Sequence, residues 1–148
     1  MPYRPPYVDP NAILVEPPHP ATLDPEDLLK QCEFKFGKGS GPGGQNRNKV
    51  ETGARLVHVP TGLESKATER RQQQVNRHVA IGRLRLRLAF KARTATNRER
   101  HRPSELWCQR RQGTRLPVNP RHADYPALLA EALDLIVARR WDVAGAAR

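Results

Sequence analysis

Residues Cys32-Glu33-Phe34-Lys35-Phe36 and Ala54-Arg55-Leu56-Val57-His58-Val59-Pro60-Thr61-Gly62-Leu63-Glu64-Ser65-Lys66-Ala67 decide the fold. The first run alternates apolar and charged side chains, the period of two expected of a strand with one buried face. In the second run, residues 54–59 read as a strand and Pro60-Thr61-Gly62 supplies turn residues. Residues 63–67 return as a third strand, closing a hairpin. A small sheet built this way has one face that something must cover.

From Thr68 onward the period becomes helical. Val75, Val79 and Leu86 form one stripe, and Ile81, Leu84 and Leu88 adjoin it. Arg70, Arg71, Arg77, Arg83, Arg85, Arg87, Lys91 and Arg93 mostly face outward on this reading. The expected class is α+β: a small mixed or antiparallel sheet packed by a long basic helix. Upstream, Asp24-Pro25-Glu26-Asp27 offers an N-cap residue, a proline at the first helical position and two acids in the first turn, so a short helix to about Gln31 precedes the sheet. The seven prolines of residues 1–22 predict an extended arm or a disordered leader, since proline neither donates to ladders nor continues helices. Residues 94–121 are polar, basic and irregular. A last helix is expected from near Asp124 to about Trp141, with Leu128, Leu129, Ala132, Leu135 and Ile136 on one apolar face. The organisation is therefore an arm (1–22), a central domain (23–93), a basic connector (94–121) and a C-terminal helical segment (122–148).

A formal charge of +11 and a pI near 10.6 point to a polyanionic partner, nucleic acid first. Fifteen of the 26 Lys and Arg residues fall within residues 66–115, against only Glu69, Glu99 and Glu105, so the polyanion should lie along that segment. No apolar run approaches the roughly 20 residues of a membrane span, and the N-terminus lacks both the apolar core of a signal peptide and the Arg/Ser-rich, acid-poor character of a transit peptide, so neither is expected. The expected location is the cytoplasm. Cys32 and Cys108 are too few and too far apart for a zinc site or a disulfide framework and read as free thiols. His19, His58, His78, His101 and His122 show no ligand or triad spacing, so no metal and no cofactor is expected.

Between the first two strands lies Gly37-Lys38-Gly39-Ser40-Gly41-Pro42-Gly43-Gly44-Gln45-Asn46-Arg47-Asn48-Lys49. Proline is its only apolar side chain, so nothing in it can anchor to a core, and an exposed, mobile loop is expected. Adjacent Gly43 and Gly44 let the backbone approach a ligand without Cβ interference. Lys35, Lys38, Arg47 and Lys49 suit RNA phosphates, and Ser40, Gln45, Asn46 and Asn48 offer neutral donors and acceptors. Arg70, Arg71 and Arg77 extend the RNA-binding set onto the helix. The plainer readings are a solvated loop or a phosphate cradle, although the GxxxxGK[ST] pattern of a nucleoside triphosphate site is absent.

The string Gly-Ser-Gly-Pro-Gly-Gly-Gln-Asn-x-Asn-Lys at residues 39–49, the strand before it and His58-Val59-Pro60-Thr61-Gly62 after it resemble the catalytic domain of class I peptide chain release factors. The likeness covers about residues 25–92. Pro42 and the short length resemble the ribosome-rescue branch, with no room for a codon-reading domain. The resemblance implies that the loop reaches the peptidyl transferase centre of the large ribosomal subunit, among rRNA, where water attacks the ester of P-site peptidyl-tRNA. It implies Gly43, Gly44 and Gln45 as catalytic residues: the Gln45 N–H stabilises developing charge, its side chain places water, and the glycines shape the backbone. It further implies a monomer and a glutamine methyltransferase acting on Gln45.

Two departures stand against the rescue pattern. Arg47 occupies a position that is usually apolar there, and residues 123–148 hold only Arg139, Arg140 and Arg148 in place of a Lys/Arg-rich tail. Two alternatives to codon-independent rescue follow: a catalytically inactive ribosome- or RNA-binding protein of the same fold, and a partner-dependent hydrolase working on split large subunits.

Overall fold

The computed structural model describes residues 7, 9–37 and 52–148. Along them run β1 (Ile13–Leu14), a 3-10 turn (Pro20–Thr22), α1 (Pro25–Leu29), β2 (Cys32–Gly37), β3 (Gly53–His58), β4 (Glu64–Ala67), α2 (Gln73–Lys91), β5 (Ala92–Arg93), α3 (Glu105–Arg110), α4 (Tyr125–Ala138) and α5 (Val143–Ala146). The chain divides into two compact units, Asp24–Arg87 and Met1–Leu23 with Leu88–Arg148. The class is α+β, with one antiparallel sheet of order β2-β3-β4 and one parallel pair, β1-β5.

In the first unit the period-two reading holds. Cys32, Phe34 and Phe36 pair with His58, Leu56 and Ala54, and Leu56 and Ala54 pair in turn with Ser65 and Ala67. This face is covered: Ala54, Leu56, His58, Ser65 and Ala67 are all buried. The opposite face carries Lys35, Arg55 and Lys66 in one cross-strand row. The turn forms at Pro60-Thr61-Gly62, with Gly62 at φ +70° and its N–H donating to the His58 carbonyl at 2.8 Å; that backbone angle is the reason for glycine. Asp24 sits at the α1 N-cap position, but its side chain makes no capping bond there.

The buried face of α2 differs from the sequence expectation. Asn76, Ala80, Leu84 and Leu88, four apart, are fully buried with Ile81 beside them, whereas Val75 is 38% exposed and Val79 and Leu86 are only half-buried. A polar residue and an alanine thus sit on the inner stripe, because Asn76 is hydrogen-bonded throughout (below) and Ala80 leaves room for the Ser65 hydroxyl to donate to its carbonyl at 2.7 Å. Each fully buried leucine contributes about 1.5–3 kcal/mol of transfer free energy. The helix also begins later than Thr68, at Gln73, since the Asn76 side chain holds the backbone of Arg70 outside it.

In the second unit, Arg93 is buried rather than outward-facing. Its guanidinium donates to Asp134 Oδ1 at 2.9 Å and to the Ala89 carbonyl. Asp134 also accepts from the Thr94 hydroxyl. His19 is buried as well: its Nε2 bonds the Ala92 carbonyl at 3.0 Å, and its Nδ1 accepts from the Ala21 N–H at 3.1 Å. Burial pushes its pKa down, the Ala92 carbonyl working against that. Within residues 94–121, read as irregular, α3 forms because the Ser104 hydroxyl caps it by accepting from the Trp107 N–H. Helix α4 buries Ala127, Leu128, Ala130, Asp134, Val137 and Ala138, leaving Leu129, Ala132, Leu135 and Ile136 half-buried. Its end turns through Arg140 and Trp141, both at positive φ. Cys32 and Cys108 are free thiols.

Candidate functional site

Gly43, Gly44 and Gln45 lie outside the described residues, as do Lys38, Ser40, Asn46, Arg47, Asn48 and Lys49. What the structure describes is the base from which that segment springs. Its two ends leave neighbouring antiparallel strands, where Gly37 and Gly53 are partners in register. A Cβ built on Gly53 would lie 2.7 Å from the Gly37 carbonyl oxygen, so the strands close to this spacing only with glycine there.

One residue farther in, Asn76 binds three backbone groups. Its amide nitrogen donates to the Thr52 carbonyl at 2.8 Å and the Arg70 carbonyl at 2.9 Å, while its Oδ1 accepts from the Arg70 N–H at 3.0 Å. The side chain is fully buried and uses both donor hydrogens and its acceptor. It ties the residue before Gly53 to the segment leading into α2. At the far end of β3, buried His58 does comparable work. Its Nδ1 lies 2.8 Å from the Thr61 hydroxyl, and its Nε2 lies 2.9 Å from Gln31 Oε1. With Gln31 presenting its carbonyl oxygen, Nε2 carries the proton and Thr61 donates to Nδ1; the Thr61 oxygen then accepts from the Leu63 N–H at 3.2 Å. The ring staples α1 to the turn.

The three helix-side arginines of the expected RNA-binding set divide. Arg70 and Arg71 are exposed, and among the described residues their side chains have no partner. Arg77 instead packs its guanidinium over the Phe34 ring, 5.7 Å from the centroid, and lies 4.0 Å from Glu26. Phe34 meets Phe36 edge-on at 4.3 Å, and Phe36, next to Gly37, is 45% exposed. Arg83 and Arg87 bind within the unit: Arg83 to Glu69 and the Lys66 carbonyl, Arg87 to the Glu64 carbonyl. The Arg83 guanidinium holds the Glu69 carboxyl down at about 2. On the open sheet face Lys35, Arg55 and Lys66 are exposed two registers from the loop base, with Arg55 tied to Glu64. Among the described residues, the cations free to meet an anion beside the base are thus Arg70, Arg71, Lys35 and Lys66.

Asn76, Gly53 and Thr52 were not singled out from the sequence. An asparagine in a helix is ordinarily a solvated residue, and only its place on the Ala80-Leu84-Leu88 stripe distinguishes this one. Among the described residues no helix is long and apolar enough to cross a membrane.

Residues 23–121 match the RF-1 domain. A stretch of 67 residues, 45% of this chain, is 45% identical to peptide chain release factor 1 of Streptococcus pyogenes serotype M3, and equally to that of Streptococcus thermophilus. It covers 18% of the length of each, so the chain spans under a fifth of these relatives. The matched domain takes in the sheet, α2 and the glycine-rich segment between β2 and β3, and on that match the chain belongs to the RF-1 domain family, the catalytic domain of class I release factors.

Proposed function

We propose that this chain hydrolyses the ester of peptidyl-tRNA on the large ribosomal subunit, independently of any codon, through Gly43, Gly44 and Gln45. The observation that carries this reading is an intact Gly-Gly-Gln segment within the stretch that matches the RF-1 domain. Water attacks the ester carbonyl, the bond to the terminal ribose oxygen breaks, and free peptide and tRNA leave. The Gln45 N–H donates to the oxygen that gains negative charge. One preorganised backbone donor of this kind is worth about 3–4 kcal/mol of barrier.

The paired glycines at the loop base and the Asn76 clamp support this reading, because a backbone donor acts only if the chain that bears it is held from both ends. Arg70 and Arg71, with Lys38, Ser40, Asn46, Arg47, Asn48 and Lys49, meet rRNA. The protein acts as a cytoplasmic monomer, and Gln45 is the substrate of a glutamine methyltransferase.

A second reading places the same chemistry on split large subunits with the help of a partner. It is favoured by the scarcity of cations in residues 123–148, which hold only Arg139, Arg140 and Arg148. Release of peptide from stalled ribosomes tests the first reading, and the same assay on isolated large subunits separates the second. Gln45→Pro, which removes the N–H, is expected to lower release by at least a hundredfold, whereas Gln45→Ala keeps part of it. Release by the proline variant at the wild-type rate overturns the mechanism, and no release by the wild type on either particle leaves only the RNA-binding role.

A further inference from the structure

In the unit made of Met1–Leu23 and Leu88–Arg148, a cavity of about 480 Å³ lies between α3 and α4. Arg98, Arg111, Arg115, Arg139 and Arg148 line it, coming from the segment before α3, the turn after it, the end of α4 and the stretch after α5. The acidic side chain in the wall is Glu131, and it is already engaged. Its Oε1 accepts from the Ser104 N–H at 2.8 Å, its Oε2 accepts from the Ser104 hydroxyl, and His101 Nε2 stands 3.6 Å away.

The five arginines have no ion pair among the described residues, although Arg93 and Arg110 in the same unit are matched to Asp134 and Asp124. Arg139 goes further: its Nε is buried without a hydrogen-bond partner. A buried N–H with no acceptor costs about 1–3 kcal/mol, which an incoming acceptor would recover. Five guanidiniums around one space suit the oxygens of a phosphate, which they can bind in bidentate fashion. Phosphate alone would leave much of the cavity empty, and the remaining wall is of another kind. Trp107 offers a ring, with Ala132 and Leu135 of α4 beside it.

We propose that this cavity binds an unpaired nucleotide of RNA, with its phosphate among Arg98, Arg111, Arg115, Arg139 and Arg148 and its base against Trp107. A volume of this size is in the range of small-ligand sites, roughly 300–1,000 Å³. Aromatic side chains are the usual platforms for splayed-out RNA bases. RNA is preferred over a free nucleotide because Arg100 and Arg102, both exposed, continue the charge beyond the cavity where only a longer strand could use it. The proposal does not depend on hydrolysis by the Gly-Gly-Gln segment.

The test is fluorescence anisotropy of a short labelled single-stranded RNA with the full chain, with AMP and inorganic phosphate as competitors. Arg111→Gln with Arg115→Gln is expected to weaken binding at least tenfold and to flatten the salt dependence by about 1.4 in log–log slope, roughly 0.7 per lost contact. Trp107→Leu, which alters no charge, should weaken binding about fivefold or more at unchanged salt slope, while Trp107→Phe stays within about threefold. The phenylalanine variant, with a thermal melt of each protein, separates lost stacking from an unfolded α3. Lys91→Gln with Arg121→Gln removes the same charge outside the cavity and is expected to change affinity by less than about threefold. Wild-type binding by Trp107→Leu, or an equal loss in the Lys91/Arg121 variant, means diffuse electrostatic attraction and overturns the proposal. AMP binding as tight as the oligonucleotide overturns the choice of RNA.

Discussion

The two units bury polar side chains in opposite ways. In Asp24–Arg87 the partners are uncharged: Asn76, His58 and Ser65 each sit in the interior hydrogen-bonded to neutral groups. In the other unit the interior holds an ion pair, Arg93 with Asp134, and a histidine whose pKa is lowered by burial. Clamps onto neutral partners fix backbone positions at modest cost and can be lost singly. A buried ion pair is cooperative, since taking either charge from water is costly and removal of one strands the other. The unit that carries the loop base therefore has a graded framework, and its neighbour one close to all-or-none.

That contrast breaks most readily at Asp134. Asp134→Ala strands Arg93 and removes the acceptor of the Thr94 hydroxyl, and is expected to cost about 3–5 kcal/mol in urea unfolding. Replacing both members, Arg93→Met with Asp134→Leu, should recover most of that loss. A double variant as unstable as Asp134→Ala alone would mean that the hydrogen bonds, not the stranded charge, carry the effect.

Asn76→Ala should cost less, about 1–3 kcal/mol, because the backbone groups it leaves unpaired, at Thr52 and Arg70, are neutral. On the proposed function it should also lower peptide release more than its stability loss explains, since the clamp holds Thr52, next to the glycine-rich segment. A variant that is destabilised yet releases peptide at the wild-type rate would make Asn76 purely structural.

The sheet was legible because its inner face is written with period two, from Cys32-Phe34-Phe36 to Ala54-Leu56-His58. The family was legible in Gly43-Gly44-Gln45, which falls within the stretch that matches the RF-1 domain. Helix α2 shows why the rest was not. Its largest aliphatics before Ile81, Val75 and Val79, suggested the buried side, yet the packed stripe runs Asn76-Ala80-Leu84-Leu88, and an asparagine becomes an inward residue only through backbone acceptors that the fold alone supplies. The same holds for Arg93, whose burial depends on Asp134, 41 residues away, and for β1, which pairs with β5 through two residues on each side. No local pattern encodes a partner at that distance.

The smallest effect sharpens the comparison from outside the core. Glu69 is half exposed and bound by Arg83, which is the main reason its carboxyl titrates near 2 rather than at 4.5; its own N–H and that of Thr68 add to this. The folded pKa is below the unfolded one, so the contribution is complete above about pH 4.5 and disappears as pH falls toward 2. Solvent screening limits an exposed pair to about 0.2–1 kcal/mol. Glu69→Gln should therefore lower the urea midpoint slightly at pH 6, and the gap from wild type should narrow steadily between pH 4.5 and pH 2.5. A gap that stays constant over that range would assign the effect to lost packing, and the exposed pair would then belong with the clamps onto neutral partners rather than with the charge of Arg93 and Asp134.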